Sequence, residues 1–549
     1  MNTLPKSIDV LIVGAGPVGM ATANLLASYG VNGIIVDREP KIFNMPRAIS
    51  LDNEALRVLQ WTGLDEGSFS RTGLGCVRFH SPLFGEMARV NTAGSIDCHP
   101  KAVSFFQPDL EQALLTRLQK RESFTLHRGF SLESSVQSNK GVKASLVDAD
   151  GNLYDMSCRY LIAADGANSS VRKSLGLDFK GGKKYDEDWL IVDVKGISNS
   201  NIKQPIDHVE FICDPKRSVP HLPAPGDRER WEFKLRKNED PKRLMEDANI
   251  NKLLSPWFPQ QDAQIERKAV YRFQANVASR FSKQRTFLVG DAAHVTPPFI
   301  GQGLVAGLRD AANLSWKISA VLKGRGDPEI LASYDIERRP HARAMIKLAV
   351  VAGRVVMPQN KLGAFVSHGL VALMSRLPYF KNLLKELEIK PKNGFKKGLF
   401  VSGKLRVKRG HPLVQTQLHH IDGRILNSDD VAAGKFRLIG FGEDPYAHLS
   451  DYMQARWQEF GGECLQICHK QQVFNRANDD ICWEDKQGSL LPKAAPMGWL
   501  VIVRPDQIVM HDGPIEEAAE ILEEVFAKMG FRGDTLPIES AASINSPSI

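Results

Sequence analysis

DVLIVGAGPVGMATANLLASYGVNGIIVDRE, residues 9–39, decides the fold. An apolar run ends at Gly14-Ala15-Gly16-Pro17-Val18-Gly19, a small-residue stretch follows, and a second apolar run ends at Asp37. The pattern reads as strand, tight turn, helix, strand. In such a unit Gly14 permits the turn, Gly16 lets a pyrophosphate approach the backbone, and Gly19 lets helix and strand pack closely. The helix N-terminus offers free N–H groups and the positive end of its dipole to phosphates. Asp37 falls about 20 residues on, where a carboxylate accepts hydrogen bonds from ribose hydroxyls. An acid there disfavours a 2′-phosphate, so the expected dinucleotide is FAD or NAD rather than NADP. This unit alone does not choose between them. A glycine-rich turn without a ligand is the bland alternative, and the strand before, helix after and terminal acid together weigh against it.

Two further stretches bear on that choice. YLIAADGANSSVRKSLG (160–176) is an apolar strand, an Asp165-Gly166 turn, and a Ser-rich entry to a helix carrying Arg172. The strand TFLVG (286–290) runs into GDAAHVTPPFIGQGLVAGLRDAANLSWK (290–317). There Asp291 is positioned to meet a sugar or ribityl hydroxyl, and Gly301-Gln302-Gly303 opens a helix. Asp291 and His294 could be two metal ligands, but no third ligand stands at a plausible spacing and HExxH is absent, so no metal is expected. His294 is expected to hydrogen-bond loop backbone. No GxSxG nucleophile elbow occurs.

In this order and spacing the three stretches resemble the class A FAD-dependent aromatic hydroxylases, the para-hydroxybenzoate hydroxylase fold. PRAISLDNEALRVLQ (46–60), FFQPDLEQALL (105–115) and SYDIERRPHA (333–342) add to the resemblance, which covers about residues 8–345. Arg309–Lys317 and the long C-terminal extension are most similar to the 3-(3-hydroxyphenyl)propionate hydroxylase and phenol hydroxylase-like subgroup. The resemblance implies FAD, with NAD(P)H as a transient cosubstrate and O₂ as oxidant, and hydroxylation of an activated ring through a flavin C4a-hydroperoxide. It implies a cofactor site made by Gly14, Gly16, Gly19, Asp37, Arg38, Arg47, Gln107, Asp165, Asp291, Pro298, Gly301, Gln302, Gly303 and Leu304. Pro297, Pro298 and Phe299 would help keep that pocket dry. A phenol must lose its proton to become nucleophilic, so a base should face the ring. His221 is the candidate taken from the substrate sheet, with a loop histidine of no role as its equal rival. Arg47 is the second candidate, to guide the flavin or pair with a substrate anion. Trp231 is expected to pack the sheet. Where many relatives carry Asn, this chain has Val305, which leaves the Gly301–Leu304 backbone to hold the flavin's pyrimidine end. There is no second GxGxxG, so NADH against NADPH stays open.

The fold class expected is α/β (α+β overall): a Rossmann-like FAD domain, an inserted β-sheet substrate domain, and a C-terminal thioredoxin-like domain. The boundaries are 1–180 and 271–395 for the FAD domain, 181–270 for the substrate sheet with about 80–103 adding to it, and 396–549 for the tail. The tail lacks CxxC, so a structural role is expected of it. At 549 residues and a formal charge of +8, the chain is long enough for several domains and mildly basic. Much of that charge lies in 390–410, read as a solvated linker rather than a nucleic-acid or membrane patch. Seven scattered cysteines argue against a disulfide framework and for a reducing compartment. No signal peptide is read, and 346–377 reads as amphipathic helix. The expected setting is cytoplasmic. The expected partners are a small aromatic substrate and O₂, with no nucleic acid and no membrane, and with a homodimer allowed for. The rivals are a non-hydroxylating flavin reductase, which would lack the long tail, and an FAD-binding redox sensor or interaction protein. The halogenase signature WxWxIP is missing.

Overall fold

The computed structural model describes residues 4–42, 47–180, 185–197, 206–258, 263–358, 360–378, 390–391, 393–403, 406–469 and 481–533. Pro46 of the PRAISLDN stretch, and residues 392, 404 and 405 of the basic linker, lie outside these. The chain divides into two compact units, residues 1–319 with 332–398 and residues 320–331 with 399–549.

In the first unit the strand Ser7–Val13 pairs in parallel with Gly33–Asp37 on one side and Leu153–Ala163 on the other. Phe124–Arg128 and Thr286–Leu288 extend the parallel array. Val142–Val147 and Ser131–Gln137 continue it as antiparallel strands. Val10, Leu11, Ile12 and Leu161 are completely buried, as a parallel strand covered on both faces requires. The helix Pro17–Ser28 starts on proline, whose fixed φ suits the first helical position, and its cap residue Gly16 contributes no side-chain hydrogen bond.

Register sets where the site lies. Val13 stands opposite both Val36 and Ala163, and Ala163 stands opposite Leu288. The turns that follow, at Gly14, Asp37, Asp165 and Gly290-Asp291, therefore leave the sheet along one edge, the carboxyl ends of four parallel strands. Open α/β sheets bind ligands in the crevice outside that edge.

A second sheet of seven strands runs in the order Ile265–Gln274, Asp186–Lys195, Arg228–Lys234, Val219–Ala224, Val209–Ile212, Cys76–Ser81, Gly85–Asn91. The part of 80–103 expected to join it does so only through residues 76–91. Ala102–Phe105 pairs instead with Ser50–Asp52 and Arg71–Gly73 in a small separate sheet. Side chains of directly paired residues share a face, because the strand period is two. Trp189, Ile191 and Asp193 stand opposite Lys234, Glu232 and Arg230, and on the other side opposite Tyr271, Ala269 and Arg267. On that face Trp189, Ile191, Phe211 and Leu222 form one core with Phe299 of the 290–317 stretch. The alternate residues Leu190, Val192, Trp231 and Phe233 form another core with Ile250, Leu254 and Phe258. Trp231 thus packs the sheet, on the face covered by the helix Asp247–Leu254. The expected helical run 346–377 contains the end of the helix Ala332–Val356 and the helix Lys361–Met374.

The second unit is built on seven strands, with Gly462–Cys468 parallel to both Phe436–Phe441 and Cys482–Glu484. Trp499–Val503 and Val509–Pro514 extend it antiparallel beyond Phe436–Phe441, and Gln417–His420 and Ile425–Asn427 do so beyond Cys482–Glu484. The helices Asp451–Phe460 and Ala518–Met529 accompany it. Cysteine spacing misled in one respect: Cys468 and Cys482 form a disulfide, while Cys76, Cys158, Cys213 and Cys464 are free. The pair is 14 residues apart in sequence and is brought together only by the parallel pairing of its strands, which no CxxC count detects. Among the described residues no helix is long and apolar enough to cross a membrane.

Candidate functional site

Contacts between backbones bring the three stretches together. A Cβ at Gly14 would lie 2.4 Å from the Ala164 carbonyl oxygen, and one at Gly19 would lie 1.9 Å from the Gly14 oxygen. The turn, the helix and the strand before Asp165 therefore touch with no room for side chains. Gly16 differs: a Cβ there would meet nothing within 4 Å. Its glycine is explained by no protein atom, as expected where a phosphate comes close. Val18 of the same helix packs against the third stretch, since a Cβ at Gly307 would lie 2.6 Å from Val18 Cγ2. Arg172 of the second stretch closes the triangle by donating to the Ala292 carbonyl at 3.1 Å.

Around this junction stand polar groups with capacity to spare. Asp37 accepts from the Ala15 N–H at 2.5 Å through one oxygen and from Glu39 N–H at 2.8 Å through the other. Both oxygens keep a second lone pair for a ribose. Asp165 Oδ2 accepts from Ser170 Oγ and Val171 N–H, both at 3.3 Å, while its Oδ1 is buried with no partner in the protein. Buried acceptors are almost always satisfied, so the orphaned oxygen fits a bound hydroxyl or amide. Asp291 is open to solvent, yet enough protein surrounds its carboxyl to push its pKa up by desolvation, against the opposing charges of His294 and Arg47. A carboxylate both open and desolvated sits in a concavity, and Arg47 acts on it from within reach. These features fit FAD.

Other expected residues serve the site through their neighbours. Gln107 Oε1 accepts from the backbone N–H groups of Arg47 and Ala48, each at 2.9 Å, and its Nε2 donates to Glu111 at 2.7 Å. It positions the Arg47 segment and keeps one amide hydrogen for a ligand. The Gln302 side chain donates to Asp52 at 2.9 Å and accepts from Arg309 at 3.2 Å. Its side chain belongs to an ionic cluster that also holds Glu54 and Lys390, so Gln302 is left to meet a ligand through its backbone. A Cβ at Gly303 meets nothing within 4 Å, which repeats the signature of Gly16 at the start of the helix Gly303–Leu322. Leu304 follows it on that helix, and Val305 is fully buried. Gly301 adopts a left-handed φ of 61° after the short helical turn Pro298–Ile300. Phe299 stands edge-on to Tyr185 and Trp189, each with ring centroids 5.8 Å away, and so ties the loop to the second sheet. Arg38 lies on the surface with Glu39 as an ion-pair partner at 3.4 Å.

Two histidine expectations are corrected. His294 hydrogen-bonds the Asp310 carboxylate at 2.7 Å instead of loop backbone. Asp310 also accepts from the Gly290 N–H at 3.1 Å and Arg338 Nε at 2.8 Å, a fully buried hub whose cations hold its pKa down against burial. His221 does not stand with the site. It stacks on Trp231 at 4.3 Å, bonds Glu229 at 2.5 Å, and is fully buried on the helix-covered face, while its neighbour Leu222 faces Phe299. Strand alternation makes this unavoidable, because residue 221 shares its face with 231.

The Phe299 face carries a polar group that motif reading missed. Arg230 donates to Asp193 at 2.6 and 3.1 Å and to the Arg47 carbonyl at 3.1 Å. Arg267 donates to the same Asp193 at 3.0 Å and to the Tyr271 hydroxyl. Glu232 stands two residues from Arg230 on this face, and burial pushes its carboxyl up to about 7. The alternation Arg228, Arg230, Glu232, Lys234 against apolar Trp231 and Phe233 was visible in the sequence as a signal.

The family described as FAD binding domain matches residues 7–349, and the family described as HcaD C-terminal domain matches residues 410–528. The 3-(3-hydroxy-phenyl)propionate/3-hydroxycinnamic acid hydroxylase of Burkholderia cenocepacia (strain HI2424) is 35% identical over 521 residues, 91% of this chain and 93% of that protein. The protein of the same name from Escherichia coli O139:H28 (strain E24377A / ETEC) is 32% identical, over 92% of this chain and 91% of its own. Among solved structures, the flavin-dependent monooxygenase PieE with FAD and substrate superposes with a TM-score of 0.75 at 21% identity, covering 95% of this chain and 99% of that one. Aklavinone-11 hydroxylase with FAD and aklavinone gives 0.75 at 23% identity, covering 96% and 99%. At such identity these two speak to the fold.

Proposed function

The chain belongs to the FAD-dependent aromatic hydroxylases, and from that premise we propose that it hydroxylates a monocyclic phenol carrying an anionic side chain, in the degradation of aromatic compounds. The protein is a flavoprotein monooxygenase that uses NAD(P)H and O₂. FAD held at the candidate site would pass electrons from NAD(P)H to O₂, one atom of which enters the ring while the other leaves as water. This chain's residues bind, orient and exclude water.

The observation that carries the substrate reading is the charge on the Phe299 face. Two guanidinium groups, Arg230 and Arg267, share the single carboxylate Asp193 by hydrogen bonds, among aromatic and aliphatic side chains. A phenol with a carboxylate tail suits such a wall: its ring meets Phe299, Trp189 and Ile191, and its anion pairs with the guanidinium groups of Arg230 and Arg267. The curated relatives are named for 3-(3-hydroxyphenyl)propionate and 3-hydroxycinnamate, which have that chemistry. Gly16, Asp37, Asp165, Asp291 and the Gly301–Leu304 backbone are the residues we assign to FAD, with Arg47 between flavin and substrate. NAD(P)H is a reductant of the cytoplasm, which is where we place the reaction.

The test is aerobic NAD(P)H oxidation over a panel of phenols with product analysis. The expected result is stimulation by 3-(3-hydroxyphenyl)propionate with an oxygenated product. Loss of a charge-assisted contact of about 1.5–3 kcal/mol should raise KM roughly 10- to 100-fold for phenols lacking the carboxylate. Equal turnover of uncharged phenols would refute the anionic assignment.

A further inference from the structure

A phenol-hydroxylating site needs a group that takes the phenolic proton, and the displacement of His221 to the far face leaves that role open. The Phe299 face offers a candidate. Glu232 stands opposite Ile191, a member of the core that contains Phe299, Trp189 and Tyr185. It retains 7% of its surface, and among the described residues no hydrogen bond or ion pair reaches its carboxylate. A buried carboxylate without a donor is unusual, and it points to a donor that arrives with a ligand.

The surrounding groups support this. On the strand Asp186–Lys195, Glu187 and Asp193 share its face; Lys234 and Arg230 flank it on its own strand; Arg267 and Tyr271 face it from Ile265–Gln274. Glu187 is committed to Lys234 at 2.7 Å and Asp193 to both arginines. Tyr185 is held protonated by burial and by the charges of Glu187 and Glu232, and its hydroxyl donates to Glu187 at 3.1 Å. None of the three is left to accept the substrate's proton. Glu232 titrates near neutrality because desolvation outweighs the attraction of Arg230 and Arg267. That is where a base working at neutral pH is most effective.

We propose that Glu232 accepts the phenolic proton of the bound substrate, an assignment that rests on the hydroxylase reading above. The phenol O–H bond breaks, its electron pair stays on oxygen as phenolate, and the proton forms a new O–H bond on the Glu232 carboxylate. The net charge of the pocket is unchanged. The proton passes to water once the product has left.

The experiment uses the FAD-loaded enzyme and follows the rate of 3-(3-hydroxyphenyl)propionate hydroxylation against pH. In the wild type the rate should rise with pH through a limb near 7, where Glu232 gives up its own proton and becomes able to accept one. In Glu232→Gln that limb should vanish. Hydroxylation by this variant should fall by about 100-fold or more, with KM little changed. A more acidic, ring-fluorinated analogue should recover most of the rate, which a merely structural defect would not allow. Wild-type enzyme whose rate shows no limb near pH 7 overturns the assignment without any variant. So does a Glu232→Gln enzyme that keeps the wild-type pH profile. If no phenol binds or stimulates the wild type, the hydroxylase reading fails and takes this assignment with it.

Discussion

Gly16 and Gly19 lie three residues apart in one turn, and the structure assigns them opposite reasons for being glycine. At Gly19 an added methyl would fall 1.9 Å from the Gly14 carbonyl oxygen, backbone against backbone. Gly19→Ala should destabilise the apoprotein by about 1–3 kcal/mol or more, as overpacking does. At Gly16 the same methyl meets nothing, and φ −73° with ψ −178° suits alanine. Apoprotein stability should therefore stay within about 0.5 kcal/mol of wild type. The methyl would occupy the space where pyrophosphate approaches the helix start. Pro17 has no N–H and the Met20 N–H already bonds Gly16 oxygen, so Val18 and Gly19 carry the donors at stake. Losing two charge-assisted hydrogen bonds at about 1.5–3 kcal/mol each amounts to roughly 3–6 kcal/mol. That weakens FAD binding roughly 10²- to 10⁴-fold. The assay pairs thermal unfolding of each apoprotein with FAD titration by flavin fluorescence. The reasoning is refuted if Gly16→Ala binds FAD within a few-fold of wild type, or if it lowers apoprotein stability as much as Gly19→Ala.

Three further predictions follow from other buried groups. Asp310→Asn removes the charge that His294 and Arg338 share, and stranding Arg338 in the core should lower stability by about 3–5 kcal/mol in denaturant unfolding. Glu232 keeps its proton up to about 7 in the folded protein against 4.5 when unfolded, so it contributes no destabilisation below 4.5 and a growing one as pH rises to 7. Glu232→Gln should thus gain stability relative to wild type by about 3 kcal/mol across that window and no more above it; a flat difference in pH-dependent melting would count against the assignment. Thiol titration of the denatured, unreduced chain should leave Cys468 and Cys482 unlabelled, and reducing their bridge should lower the stability of its unit by about 3 kcal/mol.

Much of the candidate cofactor site was legible in the sequence. Gly14, Gly16 and Gly19 are spaced by the physics of a turn under a phosphate, and Asp165 and Asp291 each end an apolar strand, so local order predicted them. What local order does not carry is which strand faces touch. His221 and Glu232 lie in neighbouring strands of one sheet, and a single residue of register decides which of them looks toward Phe299. His221 was singled out in the substrate sheet by its chemistry, when the alternation of Arg230, Glu232 and Lys234 against Trp231 and Phe233 marked the polar face. Asp310 and Arg338 were hidden for a different reason: Asp310 meets His294 across 16 residues and Arg338 across 28, separations that only the packed helices close. The Cys468–Cys482 pair was missed the same way, since only the pairing of parallel strands makes it adjacent.

The account stands or falls on what happens to oxygen. Wild-type FAD-loaded protein would be supplied with NAD(P)H, 3-(3-hydroxyphenyl)propionate and isotopically labelled O₂, and the product examined by mass spectrometry. The account predicts a dihydroxylated ring carrying one labelled oxygen atom, formed in step with NAD(P)H consumption. Consumption of NAD(P)H with unlabelled, unchanged phenol, for this and every other phenol in the panel, would contradict it.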